Sequence, residues 1–163
     1  MKLQITPIGT IHSPFQEPPG TPIQGICSRG TEGTVHILPE YREGLQDLDG
    51  FSHIILLYWF HKSDGYRLKC RPFLDDTKRG LFATRAPRRP NPIGLSIVEL
   101  ISITDSTLAV RDLDIVDGTP LLDIKPYIDT FDVRKQVRTG WYQKAGKKHM
   151  TEADDRFTNK SKT

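Results

Sequence analysis

The chain of 163 residues has only two cysteines, Cys27 and Cys70, far apart in sequence. That rules out a disulfide framework and any Cys-x-x-Cys metal site. Its five histidines, at positions 12, 36, 53, 61 and 149, lack the H-E-x-x-H spacing of a metalloprotease helix, so no metal is expected. Neither G-x-G-x-x-G nor G-x-x-x-x-G-K-S/T occurs, which removes the usual dinucleotide and P-loop signatures. No apolar run approaches the roughly 20 residues of a membrane-spanning helix. The longest, Ile54–Phe60, is the size of a strand. The N-terminus, MKLQITPIGTIHSPF, has no secretory apolar core, and a cytoplasmic location is expected. Long helices are missing too. Without strand–helix alternation, a doubly wound sheet is disfavoured.

What is present is punctuation. The 13 glycines and 12 prolines divide short, β-branched and aromatic runs. Strands are expected over Gly33–Leu38, Phe51–Phe60, Gly80–Thr84, Ile93–Ile103 and Thr107–Val110. The best helix candidate is Pro39–Leu48, where proline suits the start and Gly44 weakens the interior. These features predict a mainly all-β chain folded as a small antiparallel barrel, closed or nearly so, with a few short helices. The barrel domain is expected to occupy residues 1–140. Residues 141–163 then form a polar tail of mixed charge rather than a second domain.

One irregularity stands out. Leu108 and Val110 share one parity, Leu113 and Ile115 the other, so the chain must bulge or bend near Arg111–Asp112. Such places often re-aim side chains at a site.

The net charge of +3 decides little, but its distribution is uneven. Lys78–Arg89 holds five basic residues and no acidic one; Asp112–Asp132 holds six aspartates and one lysine. Within ATRAPRRPNPIG (83–94), prolines 87, 90 and 92 stiffen a turn that presents Arg85, Arg88 and Arg89. Arginine's planar fork suits phosphate and carboxylate. Asn91, between two prolines, offers a donor and an acceptor. In DLDIVDGTPLLDIKPY (112–127), Asp117–Gly118 marks a turn, with Asp114 and Asp123 beside it. Glycines 25, 30 and 33 permit close backbone approach in TPIQGICSRGTEG (21–33). Taken singly, each segment fits an ordinary turn, loop or strand as well as a binding site.

Four segments together, IGTIHSPF, GFSHIILLYWFHKS, FATRAPRRPNPIGLS and LDIVDGTPLLDIKPY, resemble the TrmO/YaeB-like (TsaA-like) tRNA (adenine-N6)-methyltransferases from about Ile5 to Phe131. The resemblance implies a non-Rossmann β-barrel that binds S-adenosylmethionine. It also implies a homodimer with cofactor sites near the subunit interface, and N6-methylation of threonylcarbamoyladenosine at position 37, in the tRNA anticodon loop. It implies cofactor contacts from Gln24, Gly25 and Ile26; from His61, Lys62 and Ser63; from Arg85 and Leu95; and from Arg111, Asp112, Leu113 and Asp114. The reacting nitrogen needs a proton acceptor, for which Asn91 is the first candidate and Asp114 or Asp117 the next. Arg88 and Arg89 are expected to meet the substrate's anionic groups, and Tyr127 to stack on a splayed base. Longer family members carry a C-terminal domain thought to grip tRNA, so the choice of tRNA stays open. The alternatives are a cofactor-sensing module without catalysis, a methyltransferase of another acceptor, and a plain RNA-binding barrel. The last predicts aromatic-interleaved basic strands, whereas the basic residues here sit in a proline-rich turn.

Overall fold

The structure is a computed structural model that describes residues 3–28, 30–145 and 152–158. Six antiparallel strands form a closed barrel: β1 (Gly9–His12), β2 (Glu32–Ile37), β3 (His53–Trp59), β6 (Ile93–Thr104), β7 (Thr107–Arg111) and β8 (Thr119–Pro126). Around the wall the order is β1-β2-β7-β6-β3-β8, with β8 returning to β1. Two short strands, β4 (Lys69–Cys70) and β5 (Arg79–Gly80), pair outside it.

Period-two alternation sets the core. Strand β3 turns Ile54, Leu56 and Tyr58 inward, and Val35, Ile37, Val98, Leu108, Val110 and Leu121 meet them. Burying each such side chain contributes about 1.5–3 kcal/mol. The parity change falls at Asp112, whose φ of 69° is left-handed. This single residue turns the chain so that Leu113 and Ile115 are buried after Val110.

Three expectations need correction. Gly80–Thr84 is not a strand: after Arg79–Gly80 the chain enters a 3₁₀ turn over Leu81–Ala83, closed by the Thr84 N–H on the Leu81 carbonyl. Pro39–Leu48 is not an α-helix: Pro39–Leu45 and Leu48–Gly50 are 3₁₀ turns. Pro39 starts the first as expected, but the short, glycine-containing run keeps the tighter bonding, such as Tyr41 N–H to Leu38 C=O. The turn region after Asp112 yields a full wall strand, β8, that closes the barrel between β3 and β1. Its prolines and charges hid a pattern in which Thr119 and Leu121 are buried.

The tail is only partly a surface appendage. Residues 146–151 and 159–163 lie outside the described residues. Tyr142–Ala145 forms one helical turn, and Glu152 pairs with Pro22 in an isolated antiparallel bridge. No helix among the described residues is long and apolar enough to cross a membrane.

Candidate functional site

Because β3 and β6 are antiparallel, the end of β3 lies beside the start of β6, with Trp59 opposite Ile93. At that end of the barrel a cavity of about 350 Å³ opens. This falls at the lower end of the range for small-molecule sites, roughly 300–1,000 Å³. Its apolar wall includes Tyr58, Phe60, Ile93, Leu95 and Ile115; its polar groups include Gln24, His61, Lys62, Ser63, Arg85 and Asp114.

Asp114, on the link between β7 and β8, is the aspartate of the barrel that faces the cavity. The bend at Asp112 aims it at the cavity, between the buried Leu113 and Ile115. The Ser96 hydroxyl donates to its carboxylate at 2.5 Å, and the Gly25 backbone N–H also bonds it. Tyr58 lies 3.1 Å from the Ser96 oxygen. Serine has one proton, and it points at Asp114, so the tyrosine hydroxyl must be the donor to Ser96. The order is therefore Tyr58 to Ser96 to Asp114. Burial outweighs these bonds and lifts the Asp114 carboxyl from an ordinary 3.8 to about 6, with the Arg85 charge pulling weakly the other way. The Tyr58 hydroxyl is raised as well, by burial first and then by the Asp114 charge.

Two glycines make this packing possible. A Cβ on Gly25 would sit 2.7 Å from the Asp112 carbonyl oxygen, so no larger residue fits without moving backbone. A Cβ on Gly94 would stand 2.2 Å from the Tyr58 ring. Gly94→Ala is expected to displace Tyr58, at a cost of about 1–3 kcal/mol. It is also expected to break the Tyr58–Ser96 bond. Urea unfolding measures the first effect; an unshifted tyrosine hydroxyl resonance in the variant would contradict the second.

The rim is built from bonds between loops. The Arg85 guanidinium donates to the Gln24 side-chain oxygen. Lys62 donates to the Gln16 carbonyl and pairs with Glu17 at 3.1 Å. His61 lies 3.2 Å from the Thr119 hydroxyl, and burial, followed by the Lys62 charge, lowers its pKa and so favours the neutral ring. Ser63 differs from these. Its hydroxyl is buried in the cavity wall and has no hydrogen-bond partner among the described residues. A buried polar atom in that state points to a ligand partner.

Other expected site residues are placed elsewhere. Ile26 is 95% exposed and, like Gly25, does not line this cavity. Arg111 faces outward on β7 and pairs with its cross-strand neighbours Glu32 (2.9 Å) and Glu99 (2.8 Å). Asp112 shapes the bend and accepts from the Ser28 hydroxyl at 3.3 Å; Leu113 is wholly buried core. None of the three side chains lines the cavity. Asn91 is exposed in the turn before β6, its carbonyl accepting from the Ile93 N–H, and it lies outside the cavity lining. Its flanking prolines hold it in that surface turn.

Asp117 accepts from the Ser13 N–H and meets the His12 ring, both at 3.1 Å, which pins the start of the chain to the β8 turn. Its pKa is lowered, first by the Ser13 N–H, the opposite of what a proton acceptor working near neutrality needs. Arg89 lines the cavity, but its guanidinium binds the Thr84 carbonyl at 3.0 Å, reaches those of Ala86 and Leu81, and lies over Phe82. Through one guanidinium nitrogen it clamps its own loop. Arg88 is half-buried in the same turn, outside the lining. Tyr127 packs edge-on against His53 at the other end of β3, about 17 Å of strand away. It cannot stack on a base held in this cavity of the same subunit.

The chemistry missed in the sequence is the pair Tyr58 and Ser96. Both look like ordinary strand residues, and only cross-strand register brings them to Asp114.

A sequence profile for the tRNA-methyltransferase O N-terminal domain matches residues 10–133. The chain belongs to the TrmO family. Crystal structures of TrmO superpose with a TM-score of 0.74 at 39% identity, covering 86% of this chain and 64% of that one. The TrmO structure from Pseudomonas aeruginosa gives 0.73 at 36%, covering 86% and 63%. A probable S-adenosyl-L-methionine-binding protein of Pyrococcus abyssi is 53% identical over 149 residues, which are 91% of this chain and 81% of that protein. The tRNA (adenine(37)-N6)-methyltransferase of Escherichia coli is 39% identical over 135 residues, which are 77% of this chain but 57% of the bacterial protein. The matched residues run from β1 past the end of β8, and the chain spans little more than half of the bacterial enzyme.

Proposed function

We propose that this TrmO-family chain transfers the methyl group of S-adenosylmethionine to N6 of the adenosine at position 37 of tRNA. The preferred acceptor is its threonylcarbamoyl form, in the anticodon loop, and the enzyme works in the cytoplasm as a homodimer. The observation that carries the reading is the buried, hydrogen-bonded carboxyl of Asp114 at the cavity.

The cavity suits the cofactor. Phe60, Ile93, Leu95 and Ile115 offer apolar surface to an adenosyl group, the unpartnered Ser63 hydroxyl awaits a polar atom, and Asp114 offers a carboxylate to a cationic one. When bound, S-adenosylmethionine supplies an electrophilic methyl group on a positively charged sulfur. The chain's own work is to align the acceptor nitrogen and to take its proton. Above pH 6 Asp114 is ionised and, being poorly solvated, accepts that proton readily. Arg85 stands at the rim, where the acceptor's carboxylate and the neighbouring phosphates need a cation.

The dimer has a surface to form on. Outward residues Ile93, Leu95, Ile97 and Ile101 of β6 make an exposed apolar stripe, and Ile26 adjoins it through Gly25, whose backbone approaches the Ile97 carbonyl. Ile93 and Leu95 also line the cavity, so pairing here sets two cavities beside the interface.

Incubating the protein with methyl-labelled cofactor and tRNA, with and without the threonylcarbamoyl group, tests the reading. Nucleoside mass spectrometry is expected to show N6-methylated adenosine in the first and much less in the second. Tight cofactor binding with unmodified tRNA would instead mark a cofactor-sensing protein.

A further inference from the structure

The segment after residue 151 is tied to the cavity from two sides. Glu152 bridges to Pro22. The Gly20 N–H donates to the Ala153 carbonyl and the Ala153 N–H to the Thr21 carbonyl, each at 2.8 Å. This short ladder fixes the segment to the loop before Gln24. Its other end is held at the loop after β4. Arg156 donates to the Pro72 carbonyl at 2.6 Å, lies 5.3 Å above the Phe73 ring, and is itself oriented by a two-pronged pair with Asp154. Phe157 packs edge-on against Phe73 with centroids 5.0 Å apart. Ala153, Asp154 and Phe157 all face the cavity, and so does Phe73.

None of these anchors touches a barrel strand. Both belong to loops at the cavity's rim, so the segment completes the site without being needed to close the barrel. Phe73 and Phe157 also line a neighbouring apolar groove with Ile26, Phe82 and Trp141. The aromatic pair therefore separates the cavity from that groove.

We propose that Glu152–Phe157 is a strap forming the outer wall of the S-adenosylmethionine cavity, with Arg156 as its latch, so that cofactor and spent product leave only when the strap detaches. This rests on the cofactor reading of the cavity. Phe157 and Ala153 add apolar wall, and the Asp154 carboxylate is neutralised by its pair with Arg156. The Arg156 latch consists of one bond to the Pro72 carbonyl and a stacking contact over Phe73 on a part-exposed surface, while the Asp154 pair travels with the strap, which suits a contact that must open in each cycle.

The test compares the full chain, the chain ending at Thr151, and Arg156→Ala, using S-adenosylmethionine and S-adenosylhomocysteine as probes in calorimetry and stopped-flow dissociation. Both altered proteins are expected to keep the strand signal in circular dichroism and to bind each probe about tenfold more weakly, almost entirely through faster dissociation. Arg156→Lys, which keeps the charge but not the fork, is expected to fall between. Wild-type affinity and dissociation in the two altered proteins would overturn the strap. So would a shortened chain that loses its strand signal, since the segment would then be a prop of the barrel. Failure of the full chain to bind either probe would overturn the cofactor reading itself, which is a separate result.

Discussion

Asp114→Asn is expected to stop methyl transfer and, above pH 6, to stabilise the ligand-free protein. The two effects have one cause. Burial raises the native carboxyl from 3.8 to about 6, so ionising it costs the native state more than the unfolded chain. Below about pH 4 the group is protonated in both states and contributes nothing. As pH rises from 4 through 6 the native state loses stability relative to a neutral side chain, and above 6 the full deficit is present. A shift of this size corresponds to about 3 kcal/mol, or roughly 6–12 °C in melting temperature for a domain of this length. The asparagine variant should therefore melt higher at pH 8 and coincide with wild type near pH 4. Losing a proton acceptor should lower single-turnover rates by about 10²–10⁴-fold, and the wild-type rate should rise with pH through an apparent pKa near 6. Calorimetry at several pH values and rapid-quench assays read both. A variant that turns over normally at pH 8 would remove Asp114 from the proton-accepting role.

Ile97→Asp is expected to give a folded monomer with little activity. Ile97 faces away from the core, so the barrel's packing is untouched, yet it sits mid-stripe between Leu95 and the Glu99–Arg111 pair. A carboxylate buried at the proposed interface would remain unpaired, at a cost of several kcal/mol, which weakens dimerisation by more than about 100-fold. Light scattering on the eluted peak measures mass directly. An unaltered dimer would mean that the stripe serves another purpose.

The barrel class was legible because four of its strands, β2, β3, β6 and β7, carry alternating or continuous apolar runs bounded by turn residues. So was the bend at Asp112, since a parity change leaves no other solution for a buried strand. Strand β8 was not, because Pro120, Asp123, Lys125 and Pro126 interrupt its pattern. It is held by partners on both sides rather than by its own propensity. The roles of the arginines were equally hidden. Arg89 and Arg111 look alike in sequence, but one holds loop carbonyls through a single nitrogen and the other pairs with two glutamates.

The sequence by itself determined a β-rich chain, the rigid basic turn before β6, the place where β7 bends, and, through near-literal segments, the family. Tertiary structure alone decided which aspartate faces the cavity. Asp112, Asp114 and Asp117 differ little as letters. Barrel closure places one at a backbone bend and one at a surface turn, and the third in an apolar cavity against Ser96 and Tyr58. A pKa depends on what surrounds a group in space, and those neighbours come from strands far apart in the chain.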